Sequence, residues 1–206
     1  WASGAGGRGN EISADITADQ DGNATITGTF ESPVIAFGSS GLTNKSRSDT
    51  SDIFVAHFDA SGKVLWAKGL GGFSNESSST VIADKQGNIY LTGVFASDEI
   101  KFDETVLTNR SPVGFYGDVF ISKYLPSGEV AWAKSIGGTR YDKGTGISID
   151  EQGNVYLTGW FKSDSINFGC SVVKCTTLSG PENEKAGDVF IAKYDPDGTR
   201  DYLQRR

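Results

Sequence analysis

Three carboxylates occupy one position in three recurring blocks: Glu11, Glu76 and Asp142, each four residues after a Gly-Gly pair. A ring of such groups at the mouth of a channel could hold a cation, and Ca²⁺ prefers oxygen donors of this kind. No other cofactor is expected. The structural counterpart is a carboxylate that accepts hydrogen bonds from loop N–H groups and fixes the turn. Repetition favours that role, because a structural need recurs in every copy whereas a ligand site usually does not.

The remaining candidates sort by the same test. Asp19, Asp84 and Asp150 could be read as catalytic acids, since glycosidases pair two carboxylates. Their spacing before Gly-Asn is better explained by turn formation, the side chain bonding backbone two residues on. Asp52, Asp118 and Asp188 each open a repeated apolar segment and read as structural. His57 is the only histidine, and no orienting partner of the kind a general base uses lies near it in sequence. Asp98, Glu99, Glu104 and Glu182 do not repeat, and no pattern ties them into an acid–base pair. The Gly-Gly blocks lack the Lys-Ser/Thr and the helix that a phosphate loop needs. Phe73, Phe115, Tyr116 and Tyr141 are aromatic and unrepeated, and Trp160 stands where the other copies have Val94 and Thr29. Aromatic side chains of this sort form platforms for sugars or protein partners, so these five are the candidate ligand contacts. Cys170 and Cys175 could close a small disulfide, which would suit an oxidising compartment, or remain two thiols.

Composition narrows the partners. The 206 residues carry a formal net charge of -7, with no basic cluster beyond Arg205-Arg206, which argues against a nucleic-acid surface. No apolar run approaches the roughly 20 residues of a membrane helix. Glycine is heavy (27 residues), which suits many short strands and tight turns. The sequence has no methionine and starts at Trp1, so it reads as a piece of a longer translation product.

The elements that must carry these residues come from a tandem repeat. Trp1-Ala2-Ser3-Gly4-Ala5-Gly6-Gly7 returns at Trp66 to Gly72 and at Trp132 to Gly138, in steps of 65 and 66 residues. Asp84-Lys85-Gln86-Gly87-Asn88-Ile89-Tyr90-Leu91-Thr92-Gly93-Val94-Phe95 returns almost letter for letter from Asp150 to Phe161, with a divergent copy from Asp19 to Phe30. A third block, Asp118-Val119-Phe120-Ile121-Ser122-Lys123-Tyr124, has copies at Asp52 and Asp188, and Phe37, Phe102 and Phe168 keep the same register. Each repeat predicts four strands. A short first strand (Val81 to Ala83) meets a second (Ile89 to Phe95) across the Asp-x-x-Gly-Asn turn, where glycine supplies a positive φ. Long loops follow at 31–51, 96–116 and 162–187, then a third strand and, past a Pro-x-Gly or Ala-Ser-Gly turn, a fourth. The third strand is apolar on both faces, so both faces of its sheet must be covered. Four-stranded sheets of this kind repeated at a fixed period predict an all-β chain, a β-propeller with four-stranded antiparallel blades. The alternative with three repeats of four strands is a β-trefoil.

The three blocks together resemble the bacterial seven-bladed β-propeller repeat family, over essentially every residue from Trp1 to Gly198. The departures are Ala24-Thr25 for the Val/Ile-Tyr pair, His57 for lysine and Tyr202 for tryptophan. The resemblance implies three blades plus an orphan strand: 1–10 as the outer strand and loop of a preceding blade, then 11–72, 73–138 and 139–206 within one propeller. It also implies a secreted or cell-surface protein, with the periplasm as an alternative, that is generally not an enzyme. Propellers need about four to eight blades. The expected partners are therefore the remaining blades of the same propeller or a second copy of the chain, together with a protein or glycan ligand. The expected function is a binding or scaffold module working through the long-loop face. A hydrolase or lyase acting on polysaccharide and a purely structural repeat are the alternatives.

Overall fold

The computed structural model describes residues 1–45, 50–111, 116–168, 177–179 and 187–199. The first repeat contains β1 (Glu11–Ala18), β2 (Ala24–Phe30), β3 (Val34–Phe37), β4 (Ser40–Thr43), β5 (Asp52–Phe58) and β6 (Val64–Leu70). The second contains β7 (Glu76–Ala83), β8 (Ile89–Phe95), β9 (Glu99–Phe102), β10 (Thr105–Thr108), β11 (Asp118–Tyr124) and β12 (Val130–Ile136). The third contains β13 (Asp142–Ile149), β14 (Val155–Phe161), β15 (Ser165–Asn167), β16 (Thr177–Ser179) and β17 (Asp188–Tyr194). No helix occurs among the described residues, so none is long and apolar enough to cross a membrane.

The main strands form antiparallel meanders in the orders β1-β2-β5-β6, β7-β8-β11-β12 and β13-β14-β17. Among the described strands no ladder joins one sheet to the next, so no barrel closes as a trefoil would require. The arrangement is propeller-like: separate sheets face one another, and their first strands β1, β7 and β13 lie side by side.

Packing between sheets makes the core. Ile53, Val55 and Leu70 of the first sheet share a cluster with Val81, Leu91, Phe95 and Phe120 of the second. Val119, Ile121 and Ile136 of the second share another with Leu157, Phe161 and Phe190 of the third. This is why the third strand has no polar face: β5 is buried at every residue.

Two expectations change. The first strand is longer than the apolar run Val81 to Ala83, because it begins at the repeated carboxylate, and a β-bulge between Ser78 and Thr80 absorbs the shift in register. The long segments after the second strand are not plain loops. Each holds a small hairpin, β3–β4, β9–β10 or β15–β16. Ile35 and Phe37, Ile100 and Phe102, and Ile166 and Phe168 turn their side chains into the core, while their sequence neighbours point outward or are only half-buried.

The tight turns gather at one end of the sheets. Gly22, Gly87 and Gly153 have φ of 79°, 76° and 82°, and each faces Ala60, Pro126 or Pro196 of the partner turn in its own sheet. The hairpins and Gly-Gly loops occupy the opposite end, where each loop folds over the start of a hairpin segment: Gly9, Ser74 and Arg140 donate N–H bonds to Ser32, Ser97 and Ser163 Oγ at 2.7, 2.9 and 2.9 Å.

Candidate functional site

The aspartates of the Gly-Asn turns are turn residues. In each copy Oδ1 accepts the N–H groups two and four residues on, at 2.9–3.0 Å, and Oδ2 accepts the asparagine Nδ2. Asn154 and the other donors around Asp150 hold its carboxyl below the usual range, and around Asp19 the bonds from Asn23 outweigh the opposing effect of burial.

The repeated loop carboxylates act inside their own loops. Glu76 accepts N–H bonds from Gly72 (3.1 Å) and Ser97 (3.0 Å). Asp142 accepts from Gly138, Lys162 and Ser163 N–H and from Ser163 Oγ (2.7 Å), and Glu11 accepts from Gly7 N–H and Ser32 Oγ. Among the described residues no three metal-ligating side chains converge, so Glu11, Glu76 and Asp142 are not brought together.

These carboxylates meet a second acid that sequence reading placed only as structural. Asp52 and Asp118 open β5 and β11 and are fully buried. They face the next repeat's acid, Asp52 against Glu76 and Asp118 against Asp142. Lys45 donates its N–H to Asp52 Oδ2 (2.8 Å) and Arg110 to Asp118 Oδ2 (3.0 Å), while among the described residues neither Oδ1 atom has a hydrogen-bond partner. Burial raises Asp52 to about 6 and both Glu76 and Asp118 to about 7, and raises Asp142 as well. The backbone closes the same seams: Glu76 N–H donates to Ser51 O and Asp142 N–H to Gly117 O, both at 2.9 Å.

His57 is a substituted repeat residue. Tyr90 pairs across the sheet with Lys123, and Tyr156 with Lys193, each ammonium lying over the ring at 5.2 and 5.7 Å. In the first repeat Thr25 faces His57 and its hydroxyl hydrogen-bonds Nδ1 at 2.8 Å, while the imidazole stacks on Trp66. Burial lowers the His57 pKa, against the pull of nearby Asp19. The departures at Thr25 and His57 are thus one coupled replacement.

The candidate ligand aromatics separate. Tyr141 and Trp160 pack on each other, centroids 5.3 Å apart, with Lys162 near the indole. Tyr116 is 47% exposed, and Phe115, Cys170, Cys175 and Glu182 lie outside the described residues. Phe73 is 76% exposed and lines a cleft of about 870 Å³ between the first and second sheets. The cleft is walled by Lys45, Gly71 to Ser74, Ser97 to Glu99, Lys101, Thr108 and Asn109, so it lies at the hairpin end. It presents one bare aromatic ring between side chains of both charges, a geometry suited to holding a partner in place.

Comparison with known proteins agrees with the architecture. The family described as "Beta-propeller repeat" matches residues 131–165, from β12 through the Gly-Gly loop to the start of β15. The chain is similar to an uncharacterized WD repeat-containing protein of Acanthamoeba polyphaga mimivirus, at 26% identity over 176 residues. That match covers 75% of this chain and 12% of the viral protein. It is also similar to the regulatory protein FlaEY of Caulobacter vibrioides, at 25% identity over 114 residues, covering 55% of this chain and 12% of that protein. The chain therefore spans a small part of the length of both relatives.

Proposed function

We propose that this chain is a non-catalytic binding or scaffold segment of an extracellular or cell-surface β-propeller, recognising a protein or glycan through its hairpin and Gly-Gly-loop end. The observation that carries the reading is the cleft at Phe73. Repeated residues such as Gly71, Gly72 and Ser97 frame this cleft, while Phe73, Ser74, Glu99 and Lys101 in its wall differ from their counterparts in the other repeats. Loops that vary over a rigid scaffold are where recognition residues sit. The propeller-repeat match and the repeat-containing relative support a scaffold role. The outward location rests on the repeat resemblance, and a disulfide between Cys170 and Cys175, as against two thiols, would suit it. Ca²⁺ at Glu11, Glu76 or Asp142 could only be a local addition to one loop.

The blade assignment is three blades with Trp1 to Gly7 as a fragment of another. Trp1 Nε1 donates to Ala60 O (3.1 Å) just as Trp66 and Trp132 donate to Pro126 O and Pro196 O. Further sheets of this design, from the same polypeptide or a second copy, are the partners that fit the outer faces.

The test uses the immobilised chain, offered a panel of oligosaccharides and a mixture of secreted proteins. Substituting Phe73→Ala or Tyr116→Ala is expected to reduce capture by at least about tenfold, the loss of an aromatic hot spot. Capture that survives both changes removes the case for this end of the molecule.

A further inference from the structure

The seam between the second and third sheets is closed where the seam between the first and second is open. In the closed seam, Gly137 and Asn167 exchange two backbone hydrogen bonds, both 3.0 Å, so the Gly-Gly loop pairs with the edge of β15. Arg140 then bridges to Asp164 at 3.4 Å. The matching residues of the open seam are Gly71 and Lys101 for the backbone pair, and Ser74 and Asp98 for the ion pair. Among the described residues no bridge joins Gly71 to Lys101. Ser74 is too short to reach Asp98 as arginine does, and Phe73 replaces Thr139. A Cβ at Gly72 would stand 2.5 Å from Ser97 Cβ and one at Gly138 2.6 Å from Ser163 Cβ, so the Gly-Gly loop seats equally closely on the start of its hairpin at both seams. What the open seam lacks is the backbone pair and the ion pair.

Two sequence changes, Arg to Ser and Thr to Phe, thus remove a clasp and add a bare ring at one seam only. Lys101 pairs with Val106 of β10 on one side, and among the described residues no bridge pairs its other side. A strand edge of this kind is a template for an added strand. Asp98, Glu99 and Lys101 form no ion pair among the described residues, and Lys45 adds a second cation at the cleft.

We propose that the cleft takes an extended peptide segment, which pairs with the Lys101 edge of β9 in place of the missing Gly71 contact. An apolar or aromatic side chain of that segment packs on Phe73. Its acidic groups face Lys45 and Lys101 and its basic groups face Asp98 and Glu99. This rests on the reading of the hairpin end as the binding end and narrows its ligand from protein or glycan to peptide. The backbone groups decide between the two, since a strand edge offers a sugar no matching ladder of donors and acceptors.

The test is panning a phage-displayed library of random linear peptides on the 206-residue chain, then measuring the affinities of enriched peptides. Three variants read the mechanism: Phe73→Ala, Ser74→Arg, and Ser74→Arg with Phe73→Thr, the last transplanting the closed seam. Enriched peptides carrying an aromatic or large apolar residue and charges of both signs are expected. Their affinity is expected to fall at least about tenfold on Phe73→Ala and on the transplant, with the transplant's unfolding midpoint unchanged or raised, so that loss of binding is not loss of fold. No enrichment, or peptides that bind the transplant as tightly, overturns the proposal. Peptides lost on Tyr141→Ala and kept on Phe73→Ala overturn the cleft but leave the hairpin end as the binding end. Peptides that protect the Gly87 and Gly153 turns overturn both.

Discussion

At Gly128 the backbone and a neighbouring sheet make the same demand. Its φ is 86°, and a Cβ there would stand 2.9 Å from the Trp66 ring of the preceding sheet. Gly198 repeats this against Trp132, with φ 81° and a closest approach of 2.8 Å. A left-handed conformation costs an L-residue about 1–2 kcal/mol, and displacing the indole adds to it. Gly128→Ala is therefore expected to lower stability by about 2 kcal/mol or more in denaturant unfolding; a loss under about 0.5 kcal/mol would refute the steric role. The Thr25 and His57 pair makes a second prediction at this scale. Each single change, Thr25→Tyr or His57→Lys, strands a partner, whereas the double change rebuilds the ring–ammonium pair of the other repeats. A double-mutant cycle is expected to show favourable coupling of about 0.5–1 kcal/mol or more, and additivity would contradict it.

Among the elements, the seams carry the unusual electrostatics. Asp52, Glu76, Asp118 and Asp142 are all raised by burial, so they favour the folded state most when protonated. That contribution is complete below the unfolded carboxylate range near pH ~4 and is lost as pH rises through about 6 to 7. His57, lowered by burial, works in the opposite sense in an overlapping window, because the unfolded chain gains its proton first as pH falls. With four carboxylates against one imidazole, the unfolding midpoint is expected to rise as pH falls from about 8 to about 5. The double variant Asp52→Asn with Asp118→Asn, which mimics the neutral acids, is expected to flatten that rise. A midpoint that falls over the same range in the unaltered chain would contradict the assignment.

The sequence announced the principal strands described in each repeat, four in the first two and three in the third, because their turns depend on local chemistry. Asp84, Gly87 and Asn88 form their turn with their own side chains and φ. The small hairpins were harder to read. Their strands are only three or four residues long, and the β9–β10 turn uses Asp103 at φ 49° where a glycine would have signalled it. The register of Phe37, Phe102 and Phe168, alternating with Ile35, Ile100 and Ile166, held that signal. The acid pairs were not legible, because Asp52 meets Glu76 only when separate sheets pack. Phe73 was legible as an unrepeated aromatic, but its open cleft follows from contacts missing across a seam.

On the scale of the whole molecule, the outer face of the third sheet is apolar and exposed. Val189 and Ile191 of β17 are 82% and 65% exposed, while their counterparts Ile53, Val55, Val119 and Ile121 are fully buried against a following sheet. Apolar groups left bare in this way drive association. The isolated chain is expected to self-associate with increasing concentration in light scattering, and Val189→Lys with Ile191→Lys to hold it monomeric. A chain monomeric at every concentration would show that these faces do not join.

The end proposed to hold partners is the hairpin end, with the cleft beside Phe73, and not the tight-turn end. Hydrogen–deuterium exchange of the chain with and without a captured ligand tests it most directly. New protection is expected at residues 71–74 and 97–101 with none at 84–88 or 150–154, and protection confined to those two turns would place the partner at the opposite end.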